Sequence, residues 1–513
     1  MTGLLDWILP LALLFSGAIL TPIIGAVSKR AGVKKIEGFF AALIFVFTIW
    51  SLINIYGPIS TGTIGEVQYL SFGASSGGAV LHIDMLSWLM AIIFVSLGFL
   101  VVIYSIVYME RDTGLEKYYT LILTLTGGLI GIVFAGDFFT FFVFWELMAI
   151  SSYILVSFRK EQWEPIEAGF KYLIMSAFGS ILMLYSMSFL YGLTGTLNFE
   201  LMGTYLAGAS PNLLLYLLIG MLIVGFGVKA AIVPLHTWLP DAHPAAPSSI
   251  SALLSGIIVK SGVYGILRVF LTLFAPSVFT NYGITVAIFA VITMSVGNIM
   301  ALVQTDIKRL LAYSTIANIG YILLGFAVGM TPGVSSEVAQ LGVMGGLFHL
   351  LNHAVLKGLL FLCAGAFIFR AKTRDLNKLG GIGRKMPITG IIFTVAALAL
   401  SGMPPLNGFY SKAMVIWATI SVYPSATVAT INSITYAVLA ALAILNSVIV
   451  VAYYLRVIET VVIRKPEGST NTVRETPVVM LIPLVLLMVS VFVIGLWQDP
   501  FITVIRLASQ ALP

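Results

Sequence analysis

The sequence predicts an all-α polytopic membrane protein, and three observations carry that prediction. The 513 residues are 59% hydrophobic and only 9% charged, against about 25% charged for a soluble domain. Apolar segments of roughly 20 residues, the length that crosses a hydrocarbon core about 30 Å thick, recur along the chain. Lysine and arginine fill nearly every second connection between these segments and are missing from the connections between, as in chains oriented by positive loop charge. The formal charge of +6 therefore belongs to particular loops and gives no reason to expect a nucleic-acid partner.

Apolar length and loop punctuation give about fourteen spans, near residues 4–27, 36–56, 83–109, 116–135, 137–158, 167–192, 211–233, 247–272, 282–303, 308–329, 338–369, 387–421, 427–462 and 476–497. The first, Leu4 to Val27, is too long for a signal-peptide core and has no convincing cleavage site, so it reads as a transmembrane helix. Basic residues follow span one (Lys29, Arg30, Lys34, Lys35), span three (Arg111, Lys117) and span five (Arg159, Lys160). They recur after span nine (Lys308, Arg309), span eleven (Arg370, Lys372, Arg374, Lys378, Arg384, Lys385) and span thirteen (Arg464, Lys465, Arg474). The opposite connections, near 57–82, 193–210, 274–281, 330–337 and 422–426, contain none. The basic side is expected to be cytoplasmic, which puts both termini on the outer side of the cell membrane. The loop after span seven is the exception on the basic side, with Asp241 and His243 in place of cations.

Spans seven and twelve contain prolines and are expected to be interrupted, because proline removes a backbone donor and clashes with the preceding turn. Spans four to eight and nine to thirteen are each five helices long, start on opposite sides of the membrane, and have the broken helix as their fourth member. Lys229 precedes Pro234 and Pro240 in the first set, and Pro404 and Pro405 precede Lys412 in the second. This predicts a single membrane domain holding two inverted repeats, 116–272 and 282–462, preceded by three helices within 1–115 and closed by one at 476–497.

With loop charges set aside, Glu146, Lys229, Lys260, Lys357, Lys412, His349 and His353 remain at membrane depth. A lysine at the centre of a membrane helix costs about 2.5–3.5 kcal/mol on insertion scales, so four in one chain form the candidate chemistry. Glu146 lies about ten residues into span five among aromatics. Paired with a lysine it makes a proton-responsive unit, since moving the partner away changes the proton affinity of both. The plain alternative is a static salt bridge. His349, His353 and Lys357 recur every four residues and so share one face of span eleven. Such a stripe can relay protons, histidine titrating nearest neutrality; metal binding or simple packing is its alternative. The proline breaks free carbonyls that only water, a side chain or an ion satisfies at that depth, which puts water within reach of Lys229 and Lys412. His236, Asp241 and His243 are accessory candidates. Cys363, the single cysteine, reads as a small core residue. Asp84, His82 and Asp137 are expected in interfacial water near span ends, Lys171 and Arg268 to snorkel to a surface, and Glu66 and Glu200 to be solvated loop acids. No cofactor motif, metal set or redox site of the chain's own is expected.

The stretches FFVFWELMAISSYIL, GVKAAIVPLHTWLPDAHPAAPSSISALLSG, DIKRLLAYSTIANIGYI and HLLNHAVLKGLLFLCAG resemble the antiporter-like subunits shared by respiratory complex I, Mrp-type sodium/proton antiporters and membrane-bound hydrogenases. The resemblance covers about residues 80 to 460. It implies a proton-translocating subunit with fourteen helices and two inverted five-helix repeats. By the same resemblance Glu146 matches the glutamate of helix five, Lys229 the lysine of helix seven, Lys260 the helix-eight position and Lys412 the helix-twelve position, with His349, His353 and Lys357 on the helix-eleven polar stripe. Lysine at both 260 and 412, with a short stretch after span fourteen, looks most like the D-type subunit of Mrp and its hydrogenase counterpart. Implied partners are other membrane subunits, further antiporter-like subunits among them, and a hydrogenase or other redox module, with H+ as the transported ion and Na+ as the alternative. A stand-alone transporter of a small solute and a non-conducting scaffold for a redox complex stay open as rival functions.

Overall fold

The computed structural model describes residues 4–31, 35–71, 78–280, 282–423, 428–466 and 468–512. Lys34 and parts of the connections near 57–82, 274–281 and 422–426 lie outside the described residues. In chain order the helices are α1 (Leu4–Ala31), α2 (Ile36–Ser60), α3 (Met85–Tyr108), α4 (Leu115–Phe134), α5 (Phe138–Val156), α6 (Trp163–Thr194), α7 (Phe199–Ala207), α8 (Leu213–Ala230), α9 (Leu239–Ala245) and α10 (Ser248–Leu253). A π-turn, Leu254–Ile258, joins α10 to α11 (Val259–Leu273). Then follow α12 (Tyr282–Leu302), α13 (Ile307–Gly329), α14 (Ser336–Ala371), α15 (Ile382–Lys385), α16 (Pro387–Ser401), α17 (Asn407–Ser421), α18 (Thr430–Ile458), α19 (Val478–Leu496) and α20 (Asp499–Gln510).

Among the described residues thirteen helical segments are long and apolar enough to cross a membrane. The expected twelfth span accounts for the difference from fourteen, because it is split into α16 and α17, each too short to cross alone. The connection near 57–82 holds an antiparallel ribbon, β1 (Gly65–Ser71) with β2 (Gly78–Ile83), which apolar length did not reveal. Acids at span ends are helix caps: Asp84 accepts from Ser87 N at 2.8 Å, Asp137 from Thr140 N at 2.8 Å and Asp306 from Lys308 N at 2.8 Å, each satisfying an orphan first-turn donor.

The two spans Ser248–Leu273 and Ile307–Gly329 are enclosed on all sides by other helices. They are the axis around which the lipid-facing helices pack. Both proline breaks lie against this axis. Helix α8 stops at Ala230, with Ala231 at φ 56°, and regular structure resumes only at Leu239. The backbone groups freed there find side-chain partners, as buried polar groups in a membrane must: Trp238 Nε1 donates to the Val228 carbonyl at 2.8 Å, and Val233 N to Thr293 Oγ1 at 3.0 Å. Helix α16 ends at Gly402, which takes φ 89°, a conformation glycine adopts without a Cβ penalty.

Candidate functional site

All four lysines expected at depth are buried: Lys229, Lys260, Lys357 and Lys412. None is in an ion pair among the described residues. Each instead points its ammonium at neutral oxygens. Lys229, in the last turn of α8, donates to Tyr172 Oη at 3.1 Å and Ser176 Oγ at 2.9 Å, two residues one turn apart on α6. Its Nζ also stands 4.8 Å from the Tyr172 ring centroid and 5.8 Å from that of Trp145. Glu146, one residue beyond Trp145, does not touch Lys229. It stays within electrostatic reach of that lysine, while its Oε1 is buried without a hydrogen-bond partner. The expected direct pair is thus an interaction through space.

Lys260 donates to the Ser255 carbonyl. Ser255 lies in the π-turn, whose wider ladder frees a carbonyl that a regular helix would occupy. Lys357 donates to the Leu311 carbonyl at 2.9 Å and to Tyr454 Oη at 3.3 Å. Lys412 donates to the Leu400 carbonyl at 2.7 Å and lies 5.0 Å from the Tyr321 ring centroid. Leu400 is in the last turn of α16, so the ammonium meets both a freed carbonyl and the negative end of a half-helix.

The two histidines on α14 differ. His349 Nε2 faces Asn318 Oδ1 at 3.1 Å and Nδ1 faces Ser411 Oγ at 3.0 Å. Asn318 Nδ2 is held by the Ser314 carbonyl at 2.7 Å. The amide oxygen therefore faces the ring, and Nε2 must carry a proton. His353 is fully buried with neither ring nitrogen partnered. Its ring centroid is 6.2 Å from that of His349, and Lys260, Lys357 and Lys412 all lie within electrostatic range. His353 is the hub of the second lysine group.

The structure thus assembles two sets: Glu146 with Lys229, and Lys260 with His349, His353, Lys357 and Lys412. No direct hydrogen bond joins Lys229 to Lys260 among the described residues. Their helices nonetheless touch, because a Cβ on Gly262 of α11 would fall 2.6 Å from Ala230 N on α8. Of the accessory candidates, Asp241 is drawn to the surface by Lys171 at 3.2 Å and Arg309 at 3.5 Å. His236 lies half-buried in the break between α8 and α9, its Nδ1 unpartnered. His243 is buried, stacked on Phe361 at 4.4 Å with both ring nitrogens unpartnered.

Several expectations are corrected. Lys308 is not a solvated loop cation: it is buried and donates to the Pro244 and Ala246 carbonyls beside His243. Arg268 does not snorkel, and Asp84 is not washed by interfacial water. The two form a buried ion pair at 2.6 Å, with Arg268 also donating to Tyr264 Oη at 3.1 Å. Asp137 is likewise buried. Tyr172, Ser176, Asn318, Ser411 and Tyr454 escaped sequence reasoning, which followed charge alone.

Residues 135–440 match the family described as NADH:quinone oxidoreductase/Mrp antiporter, TM, and residues 69–119 match NADH-Ubiquinone oxidoreductase (complex I), chain 5 N-terminus. The chain belongs to the NADH:quinone oxidoreductase/Mrp antiporter family. It is 32% identical over 488 residues to F(420)H(2) dehydrogenase subunit N of Methanosarcina mazei, covering 93% of each chain. It is 30% identical over 461 residues to NADH-quinone oxidoreductase subunit N of Desulforudis audaxviator, covering 87% of each chain. In three dimensions it is similar to a chain of the membrane-bound sulfane sulfur reductase, an archaeal respiratory membrane complex, at TM-score 0.84 and 27% identity, covering 99% of this chain and 97% of that one. This member of the family is an antiporter-like, multi-pass membrane subunit of the Mrp, complex I and hydrogenase type.

Proposed function

We propose that the chain translocates protons as one subunit of a larger ion-pumping membrane complex, through the line from Glu146 and Lys229 to Lys260, His353, Lys357 and Lys412. The observation that carries this reading is four buried lysines held by carbonyls and hydroxyls, with no contact carboxylate among the described residues. A carboxylate partner would lock each charge in place; neutral oxygens leave the ammonium free to lose and regain a proton as neighbours move. The step between Lys229 and Lys260 crosses the seam of α8 and α11, which Gly262 lets approach closely. Lys308 and His243 form the approach from the basic face, and Lys412 exchanges with the opposite side. Glu146, Lys229 and Lys260 fall in the first inverted repeat, 116–272, and His349, His353, Lys357 and Lys412 in the second, 282–462, so the second lysine group spans the seam between the repeats, with the basic face cytoplasmic.

Protons suit this line better than sodium. Sodium needs oxygen ligands, and the carbonyls of Ser255, Leu311 and Leu400 are already taken by lysines. The driving signal comes from partner subunits, as the names of the dehydrogenase and reductase relatives suggest. The test is proton translocation by the purified complex carrying Lys229→Ala: loss of pumping with assembly intact is expected, and undiminished pumping overturns the reading. Solute uptake by the isolated chain in liposomes would instead favour a stand-alone transporter.

A further inference from the structure

Glu66 and Glu200, expected as loop acids, converge on His82 in the lining of an open cavity of about 790 Å³. Glu66 and His82 are directly opposed across the β1–β2 ribbon, so their side chains share one face. Glu200 comes from the first turn of α7, and the backbone fixes that turn against the ribbon: Gly136 N donates to the Val80 carbonyl at 2.9 Å and Phe199 N to the Gly136 carbonyl at 3.0 Å. The three side chains therefore meet on a built frame.

We propose that Glu66, His82 and Glu200 bind one divalent transition-metal ion of the zinc class. His82 Nδ1 lies 3.5 Å from Glu66 Oε1 and 3.9 Å from Glu200 Oε1, and one ligand atom from each of the three lies within 4.8 Å of the others. A tetrahedron with metal-ligand arms of about 2.1 Å has edges of roughly 3.4 Å, so small side-chain movements close the set and leave the fourth position open to the cavity. A nitrogen with two carboxylates suits zinc better than magnesium or calcium, which take oxygen alone.

A second observation comes from the other side of the ring. His82 Nε2 faces Asp84 Oδ2 at 3.7 Å, and Asp84 is itself buried and fixed by Arg268. A metal-bound histidine commonly turns its second nitrogen to a carboxylate, which sets the tautomer and leaves the other nitrogen free for the ion. Charge agrees with this. Among the described residues neither glutamate is in an ion pair with a lysine or arginine, and Arg268 is engaged by Asp84. A bound cation would neutralise the two carboxylates and clip the ribbon to α7.

The test is equilibrium dialysis of zinc against the purified, chelator-stripped complex. One site per copy of this chain is expected, weakened about tenfold or more in Glu200→Gln and His82→Ala, and unchanged in Glu161→Gln, an exposed loop acid. Glu200 is itself exposed, so its variant tests the site without disturbing the fold. X-ray absorption should report one histidine nitrogen among oxygen ligands. Equal zinc binding by the parent and both site variants, no site-specific zinc at all, or preference for calcium over zinc overturns the proposal.

Discussion

Charge is buried in two ways in this molecule. Toward the C-terminal end of α11, Arg268 meets Asp84 at 2.6 Å and Tyr264 at 3.1 Å. Two turns earlier on the same helix, Lys260 meets the Ser255 carbonyl, and among the described residues neither it nor Lys229, Lys357 or Lys412 has a contact carboxylate. The paired site has every incentive to stay as it is, since separating two desolvated opposite charges is strongly unfavourable. The unpaired sites keep no such commitment. The span Ser248–Leu273 therefore holds a paired charge near one end and an unpaired lysine at its centre.

Breaking the paired site should have the largest effect and should act on stability. Arg268→Ala leaves Asp84 buried and uncompensated, an expected loss of about 3–5 kcal/mol, read as failure of the complex to accumulate; removing both charges together in Asp84→Leu/Arg268→Met should recover much of it. Lys229→Ala and Lys412→Ala should do the reverse. Assembly, followed by size-exclusion chromatography, is expected to persist, while proton translocation in proteoliposomes falls about tenfold or more, equivalent to about 1.4 kcal/mol on the barrier. A collapse in assembly for these lysine variants would erase the distinction. Tyr172→Phe and Ser176→Ala each remove one oxygen from Lys229, an expected effect of about 1 kcal/mol, or roughly fivefold in transport. Glu146→Gln, acting only through space, should change transport least, about two- to threefold, and should leave variants at Lys412 unaffected.

The paired site also predicts a pH response. Burial raises the proton affinity of Asp84, but Arg268 outweighs it, aided by His82 and Ser87 N, and holds the carboxyl well below the usual carboxylate range. A carboxylate with a lowered folded value contributes stability above its unfolded pKa of about 3.9 and loses it as pH falls through the folded value. The stability Asp84 contributes should therefore be fully present and constant between about pH 5 and 8, so the melting temperature of the solubilised complex should show no pH dependence from Asp84 across that window. Transport across the same window is free to vary. A melting temperature that tracks Asp84 near neutrality, judged against Asp84→Asn, would remove the contrast.

Much of this was legible in the chain. Proline positions located both breaks because a missing donor acts locally, and the buried lysines stood out because any charge inside a 20-residue apolar run is conspicuous. The hydroxyl and amide partners were not found, although a signal existed. Tyr172 and Ser176, Ser314 and Asn318, and Asn407 and Ser411 are each spaced four apart within apolar helices, as are His349, His353 and Lys357. Neutral polar pairs at that spacing mark an inward face as surely as charged ones do.

By itself the sequence determined the class of molecule, the approximate limits of its membrane spans, the two interruptions and the four lysines at depth. These follow from hydropathy and backbone chemistry, which are properties of short segments. Tertiary structure alone decided who meets whom. It withdrew Glu146 from contact with Lys229, drew Asp241 to the surface, buried Lys308 next to His243, paired Arg268 with an aspartate 184 positions away, and gathered Glu66, His82 and Glu200 from three elements. A side chain's partner is set by how distant helices pack, and an apolar helix reads much the same whichever neighbour it meets.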